Sequence, residues 1–404
     1  MHTNYKIQQL SVIHFLGKLK LKICDMKKDQ LTLVFVLLFT LFSFISCEKE
    51  TVIATDPNQP LIDQMKAVTD SIIKNTRVPG IVALVVDHKK GIDWLYTAGC
   101  SDVQSKLPMD STYTFRIGSN TKTLTCTVLL QLVDEGKVSL NDMLSKYYPA
   151  YPQSDKITIA MLLDMKSGIY NYSEDIPVFM QSMVSNPSLV WQPQELIDLG
   201  FSHNFYFEPG TDIHYSNTNT FIIAKLIEKL SGNSLETEIN NRIIQPLGLN
   251  STRFLTWGIG LPGNHGRGYE INSDNTYTDA TEHYDISWGW AAGSAYSTPR
   301  ELQKYVEALV RGDFLSNSLQ QKRLTENFYG RPDLWLGKIT YGLGMMRCGR
   351  SFYGHGGDLP GFSSTMYHSN EKDCTIVLYF NTQDDYPSGL LFFRYLDILF
   401  GTDY

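Results

Sequence analysis

FRIGSNTKTLTCTVLLQLVDEGK, residues 115–137, is the stretch on which the reading of this chain turns. Leu124, Val128, Leu129, Leu132 and Val133 recur at helical spacing and Gly136 offers a stop, so the pattern predicts a buried helix opening near Ser119. Ser119 then stands in the first turn, with Lys122 one turn on and on the same face. A Ser hydroxyl is a poor nucleophile at neutral pH and needs a neighbouring base. A Lys amine serves as that base only where desolvation brings its pKa toward neutrality. The start of a helix also favours the negative charge that develops as the hydroxyl loses its proton. Ser-x-x-Lys arises by chance in many chains, and Ser at a helix start is usually a cap. The pair therefore needs company before it carries chemistry.

Two stretches farther along supply it. In FEPGTDIHYSNTNTFIIAKLIEKLSG (207–232), a Pro-Gly turn precedes Tyr215-Ser216-Asn217, and Ile222, Leu226 and Leu230 mark a helix ending at Gly232. Tyr215 and Asn217 are two apart, so an extended loop points both the same way. A phenol near Lys122 could take the Ser119 proton as phenolate or relay it to a leaving group, and an amide could hold a substrate amide. In YGHGGDLPGFSS (353–364), His355-Gly356-Gly357 is flanked by strand-like sequence, where glycines let a substrate backbone lie close. Each stretch alone also reads as ordinary structure: a satisfied Tyr with an Asn turn, and a Gly-rich turn with an incidental His.

The rest of the chain frames these three. Leu61, Met65, Val68 and Ile72 predict a first amphipathic helix. Residues 81–87 and 92–97 read as a hairpin joined by His88-Lys89-Lys90-Gly91. Residues 120–250 are mainly helical, and strand-like runs at 364–367 and 375–381 precede a last apolar helix near 390–400. Strands at both ends around a helical middle predict an α/β (α+β) domain: one antiparallel sheet flanked by helices, with a helical lobe inserted at roughly 135–275. At 404 residues with 43% hydrophobic and 19% charged, the chain can bury a full core. Six Lys against two Asp fall in residues 1–46, leaving 29 basic against 40 acidic residues beyond. An acidic body without a basic stripe argues against nucleic acid as a partner. No CxxC or HExxH occurs and the nine His are scattered, so no metal site is expected. Cys100, Cys126, Cys348 and Cys374 read as buried free thiols.

Ahead of the domain, Met26-Lys27-Lys28, an apolar run from Leu31 to Ile45 and then Ser46-Cys47 have the order of a secretory signal. Cys47 after a small residue looks like a bacterial lipidation site. Residues 1–47 are thus expected to be a signal and lipoprotein segment, with Met26 a candidate start, and the alternative is an uncleaved span. Residues 48–60 read as a polar tether. The expected location is exported, periplasmic or outer-surface, held to the membrane through an N-terminal lipid anchor.

Ser119-x-x-Lys122, then Tyr215-x-Asn217 about 95 residues later, then His355-x-Gly357 about 140 after that, resemble the penicillin-recognising serine hydrolases. That superfamily holds D-alanyl-D-alanine carboxypeptidases, class C β-lactamases, esterases and D-amino-acid peptidases. Flanking blocks agree: FRIGSNTKT, ITIAMLLDMKSGI, FEPGTDIHYSN, IIQPLGLNST, AAGSAYSTPRELQKYV and GHGGDLPGFSS, together spanning about 61–400. The resemblance implies a β-lactamase/transpeptidase-like fold over 61–404, with no cofactor. Ser119 would be the acylated nucleophile, Lys122 its base and Tyr215 a partner in proton transfer. Asn217 and His355 would bind substrate beside Gly357, and the Ser119 and Asp358 N–H groups would form an oxyanion hole. The implied activity is that of an exported acyl-enzyme hydrolase, D-alanyl-D-alanine carboxypeptidase-like, on peptidoglycan peptides. An esterase or β-lactamase of the same fold is the alternative, and a non-catalytic penicillin-binding sensor is the second. The substrate would be a small peptide, ester or β-lactam.

Three positions depart from the family pattern. Gly356 replaces a Thr or Ser whose hydroxyl could bond a carboxylate. His355 would be only partly cationic at neutral pH. Met165 stands where relatives often have His. Arg347, expected on the His355 face, and Arg350 could supply positive charge. Tyr170, Tyr172, Trp288 and Trp290 read as core or as cleft walls. Thr298-Pro299-Arg300-Glu301 reads as a capping box.

Overall fold

In the computed structural model, which describes residues 56–326, 328–330 and 338–404, the two ends of the chain build one eight-stranded antiparallel sheet. Its strands are β1 (Gly80–Asp87), β2 (Ile92–Asp102), β3 (Leu107–Pro108), β4 (Ile339–Gly342), β5 (Met345–Cys348), β6 (Phe352–Leu359), β7 (Phe362–Ser369) and β8 (Cys374–Phe380). They lie in the order β3-β2-β1-β8-β7-β6-β5-β4, so the first strand pairs with the last, Ile81 opposite Phe380 and Asp87 opposite Cys374. The expected signal segment and Cys47 lie outside the described residues.

Strand β1 shows how the sequence covers both faces. GIVALVVD is buried throughout, and successive side chains leave on opposite sides. Val82, Leu84 and Val86 enter the core beneath the helical lobe. Ile81, Ala83 and Val85 enter a second core shared with α1 (Gln59–Asn75) and α5 (Ser388–Phe400). A sheet covered on both faces has no solvent side, which is why β1 reads as a continuous aliphatic run rather than an alternating one.

Helix α2 (Thr121–Asp134) runs through the middle of the lobe core against α3 (Asn217–Ser231), and every residue from Thr121 to Leu130 is buried. Its threonines tolerate this because their hydroxyls are satisfied: Thr121 donates to the Gly118 carbonyl, Thr123 to Asn120 and Thr125 to Ala291. Helix α4 (Pro299–Arg311) packs on β7 and β8. The expected capping box at its start is half formed. Thr298 accepts from the Glu301 amide, but the Glu301 carboxylate is taken by the Ser251 amide and the Thr252 hydroxyl, a tertiary pairing that displaces the local one. Cys126, Cys348 and Cys374 are buried and Cys100 is half-buried, all four as free thiols.

One detail of the sheet positions the site. Strand β5 pairs with β6 only as far as Gly354. Beyond that point the free edge of β6 meets the turn that leads into α2.

Candidate active site

Gly118 has φ 50° and opens a single 3-10 turn, Gly118–Asn120, that runs into α2. A Cβ on Gly118 would stand 2.9 Å from the Asp358 amide nitrogen. One on Gly357 would stand 2.1 Å from the Ile117 carbonyl oxygen and 2.7 Å from the Ser119 amide nitrogen. Only glycine at both positions lets the turn press against the edge of β6. That contact brings the Ser119 and Asp358 amides to one place, as an oxyanion hole requires. Ser119 itself remains half-exposed.

One helical turn on, Lys122 is fully buried. Its Nζ lies 3.0 Å from Ser119 Oγ and donates to the Ala292 carbonyl at 3.0 Å. The Tyr215 ring centre is 4.8 Å from Nζ, and its hydroxyl is hydrogen-bonded to Ser119. The His355 ring stands 6.1 Å from that of Tyr215 and 5.6 Å from that of Tyr341. Met165, in the left-handed region at φ 59°, steadies the Tyr215 loop: its sulfur accepts from the Ser216 amide and the Asn219 side chain, and its carbonyl from the His214 amide.

Burial governs the charges. It pushes the Lys122 amine down to about 7, against a small opposing pull from the Cys126 thiol. It raises the Tyr215 phenol well above its ordinary value, although the Ser119 hydroxyl works the other way. Burial, then the Lys122 charge, drive the His355 ring down to about 3. The expected partly cationic His355 is therefore corrected to a neutral imidazole. Its Nδ1 faces the Gly356 carbonyl, which can only accept, so Nδ1 carries the proton and the enclosed Nε2 is a bare acceptor. The phenolate reading of Tyr215 is likewise set aside in favour of a proton relay.

The cleft has a volume of about 540 Å³ and holds Ser119, Tyr215, Asn217 and the run His355 to Asp358. It also holds Asn171, Ser173 and Glu174, which sequence reasoning missed. Asn217, the first residue of α3, donates to Ser173 Oγ at 2.9 Å, and its amide to Asn171 Oδ1 at 3.0 Å. Asn171 Nδ2 donates to Glu174 Oε1 at 3.0 Å. Burial alone would raise the Glu174 carboxyl, but hydrogen bonds with His214, Tyr206 and Asn171 hold it down to about 2. The only signal for this segment was its place just after the block ITIAMLLDMKSGI.

Other expectations resolve as structure. Tyr172 and Trp290 are core, Tyr172 donates to the Trp288 carbonyl, and Tyr170 stacks between His203 and Tyr206; none of the four aromatics lines the cleft. The Arg347 guanidinium lies 4.5 Å over the Phe328 ring, and the Arg350 amide bonds the Tyr404 carbonyl. No Lys or Arg among the described residues lines the cleft, so neither arginine, each of which could have supplied positive charge, is part of its lining.

Chemically, an uncharged Lys122 can accept the Ser119 proton as the hydroxyl attacks an acyl carbon. The Ser119 and Asp358 amides, brought together by the Gly118 and Gly357 contact, are placed where they can donate to a developing oxyanion. Tyr215 stands where it can pass a proton to the departing group, and the neutral His355 ring beside it brings no positive charge.

Comparison with known proteins agrees with this geometry. The Beta-lactamase family model matches residues 61–394. A penicillin-binding protein of Bacillus subtilis is 25% identical over 334 residues, covering 78% of this chain and 72% of that protein. A D-stereospecific amidohydrolase from Streptomyces superposes with TM-score 0.74 at 29% identity, over 84% of this chain and 99% of that one. A D-amino acid amidase from Ochrobactrum anthropi does so with TM-score 0.73 at 26% identity, over 84% and 98%. With its matched span and its Ser119–Lys122–Tyr215 constellation, this chain is a serine-type hydrolase belonging to the Beta-lactamase family.

Proposed function

We propose that this hydrolase acylates Ser119 with D-configured aminoacyl or peptidyl amides and releases the acyl group to water. The observation that carries the acyl-enzyme step is the Lys122 amine, brought to about 7 by burial and placed 3.0 Å from Ser119 Oγ. Two observations favour an amide donor with a free amino group. Glu174 is a fixed carboxylate tied to the Asn171–Ser173–Asn217 network, and it suits an ammonium on the acyl side. The absence of Lys and Arg from the described cleft lining leaves a terminal carboxylate without a partner. The D-amino acid amidase and the D-stereospecific amidohydrolase among its structural neighbours point the same way.

A D-alanyl-D-alanine carboxypeptidase-like activity is the second reading, favoured by the penicillin-binding relative. The residue 26–47 pattern supports export and lipid anchoring at Cys47, which would place either activity at the cell envelope.

The test is to offer the enzyme D-phenylalaninamide, D-alanyl-D-alanine, a p-nitrophenyl ester and a fluorescent penicillin, and to locate adducts by mass spectrometry. Amide turnover through a Ser119 adduct, reduced at least about 10³-fold in Ser119→Ala, is expected. A long-lived penicillin adduct with faster cleavage of D-alanyl-D-alanine than of the amide selects the second reading. Turnover that survives Ser119→Ala refutes both.

A further inference from the structure

We propose that the Asp358 side chain sorts substrates by the charge at the far end of the leaving group, turning away those that end in a free carboxylate. This deepens, and rests on, the reading of the cleft as a site for amides. Residues alternate along β6. His355 and Gly357 face the Ser119 turn and Tyr215, while Gly356 and Asp358 share the other side. A Cβ on Gly356 meets nothing nearer than the Ser364 carbonyl oxygen at 3.8 Å, so that side opens into the cleft. The family pattern places a hydroxyl at position 356 that could bond a carboxylate, and here it is missing.

In its place the cleft presents a carboxylate. Asp358 lines the same cleft as Ser119 and Tyr215 and keeps solvent contact; its surroundings raise the carboxyl, while a hydrogen bond from the Ser363 hydroxyl favours the charged form. Its own amide is one of the two groups positioned for the substrate oxygen. Covalent geometry keeps a carboxylate within roughly 4–5 Å of its own amide nitrogen, so any substrate seated in the oxyanion hole has this charge beside it. No Lys or Arg in the described lining pairs with it, and Arg347 is committed to Phe328. The nearby hydroxyls are also engaged: Ser363 with Asp358 and, at 2.8 Å, Ser388, and Thr365 with Ser388 at 2.8 Å. A substrate carboxylate brought here meets a like charge in a partly desolvated cleft, which disfavours it strongly. A carboxamide of the same shape meets no such charge.

The minimal pair is D-alanyl-D-alanine and D-alanyl-D-alaninamide, which differ only in that terminal charge. At low salt the wild type is expected to favour the amide in kcat/KM by roughly 30-fold or more, through KM, with the preference falling as salt rises. Asp358→Asn should compress the ratio at least about tenfold, and Asp358→Glu should keep it. The ratio is the readout because the Asp358 amide serves both substrates, so a general loss through the oxyanion hole leaves it unmoved. Binding of the same pair to Ser119→Ala gives the preference without turnover, so failure of the hydrolytic reading leaves this measurement standing. Equal affinity for the two dipeptides, or a ratio in Asp358→Asn within twofold of wild type, overturns the proposal.

Discussion

Replacing Lys122 with Met should abolish activity and yet make the protein more stable at neutral pH. Burial takes the amine from its ordinary 10.5 to about 7. At 1.36 kcal/mol for each factor of ten, carrying it uncharged at pH 7, when the unfolded chain would hold it protonated, costs about 4 kcal/mol. Met fills nearly the same volume without that cost, but it forfeits the bonds to Ser119 and Ala292 and leaves the Ala292 carbonyl wanting, a loss of about 1–3 kcal/mol. The net expectation is a gain of about 1–3 kcal/mol at pH 7. The pH dependence is sharper still. Between pH 7 and 10.5 the unfolded chain binds the Lys122 proton and the folded one does not, so wild-type stability rises with pH through that window. At and below pH 7 the cost is present in full. The advantage of Lys122→Met should therefore shrink by about 4 kcal/mol between pH 7 and 10.5, and urea unfolding of the two proteins at matched pH values measures it. An advantage independent of pH, or a variant less stable than wild type at pH 7, refutes the reasoning.

Two other outcomes follow from the same geometry. Gly357→Ala forces a Cβ to within 2.1 Å of the Ile117 carbonyl and should part the two oxyanion donors, lowering kcat by about 10²–10³, whereas Gly356→Ala, with 3.8 Å of room, should fall by less than about tenfold; steady-state kinetics on one ester decides between them. Glu174→Gln should lower the preference for a free-amino acyl donor over its N-acetylated counterpart by about 10-fold, the worth of one charge-assisted contact, and an unchanged preference removes Glu174 from substrate recognition.

How much of this was legible in the sequence depended on whether a cause was local. Ser119 and Lys122 could be read together because one helical turn separates them, and β1 because six aliphatic residues in a row have few other uses. Lys122 as a base also depends on the Ala292 carbonyl, but that partner is a backbone atom 170 residues away, invisible to any reading of side chains. The neutrality of His355 comes from enclosure between Tyr215 and Tyr341, contributed by distant segments. Glu174 sits in a short 3-10 turn that carries no periodicity, and enters the cleft only because Asn171 and Ser173 bind α3. Arg347 shared the expected face but was drawn to Phe328 instead. Strands β4 and β5, four residues each, were too short to show a pattern, and the single π turns at 176–180 and 240–244 have no sequence signature. At Glu301 a legible local motif was overruled by Ser251 and Thr252.

The pH dependence of the Ser119 acylation rate, followed in a single turnover of a chromogenic ester, bears most directly on the idea that a buried, uncharged amine arms this serine. The expected profile rises tenfold per pH unit through acid, bends near pH 7 and stays level to about pH 9, reporting loss of the Lys122 proton. A profile that keeps climbing to pH 10, as an ordinary lysine would give, or one that is flat from pH 5 to 9, contradicts it.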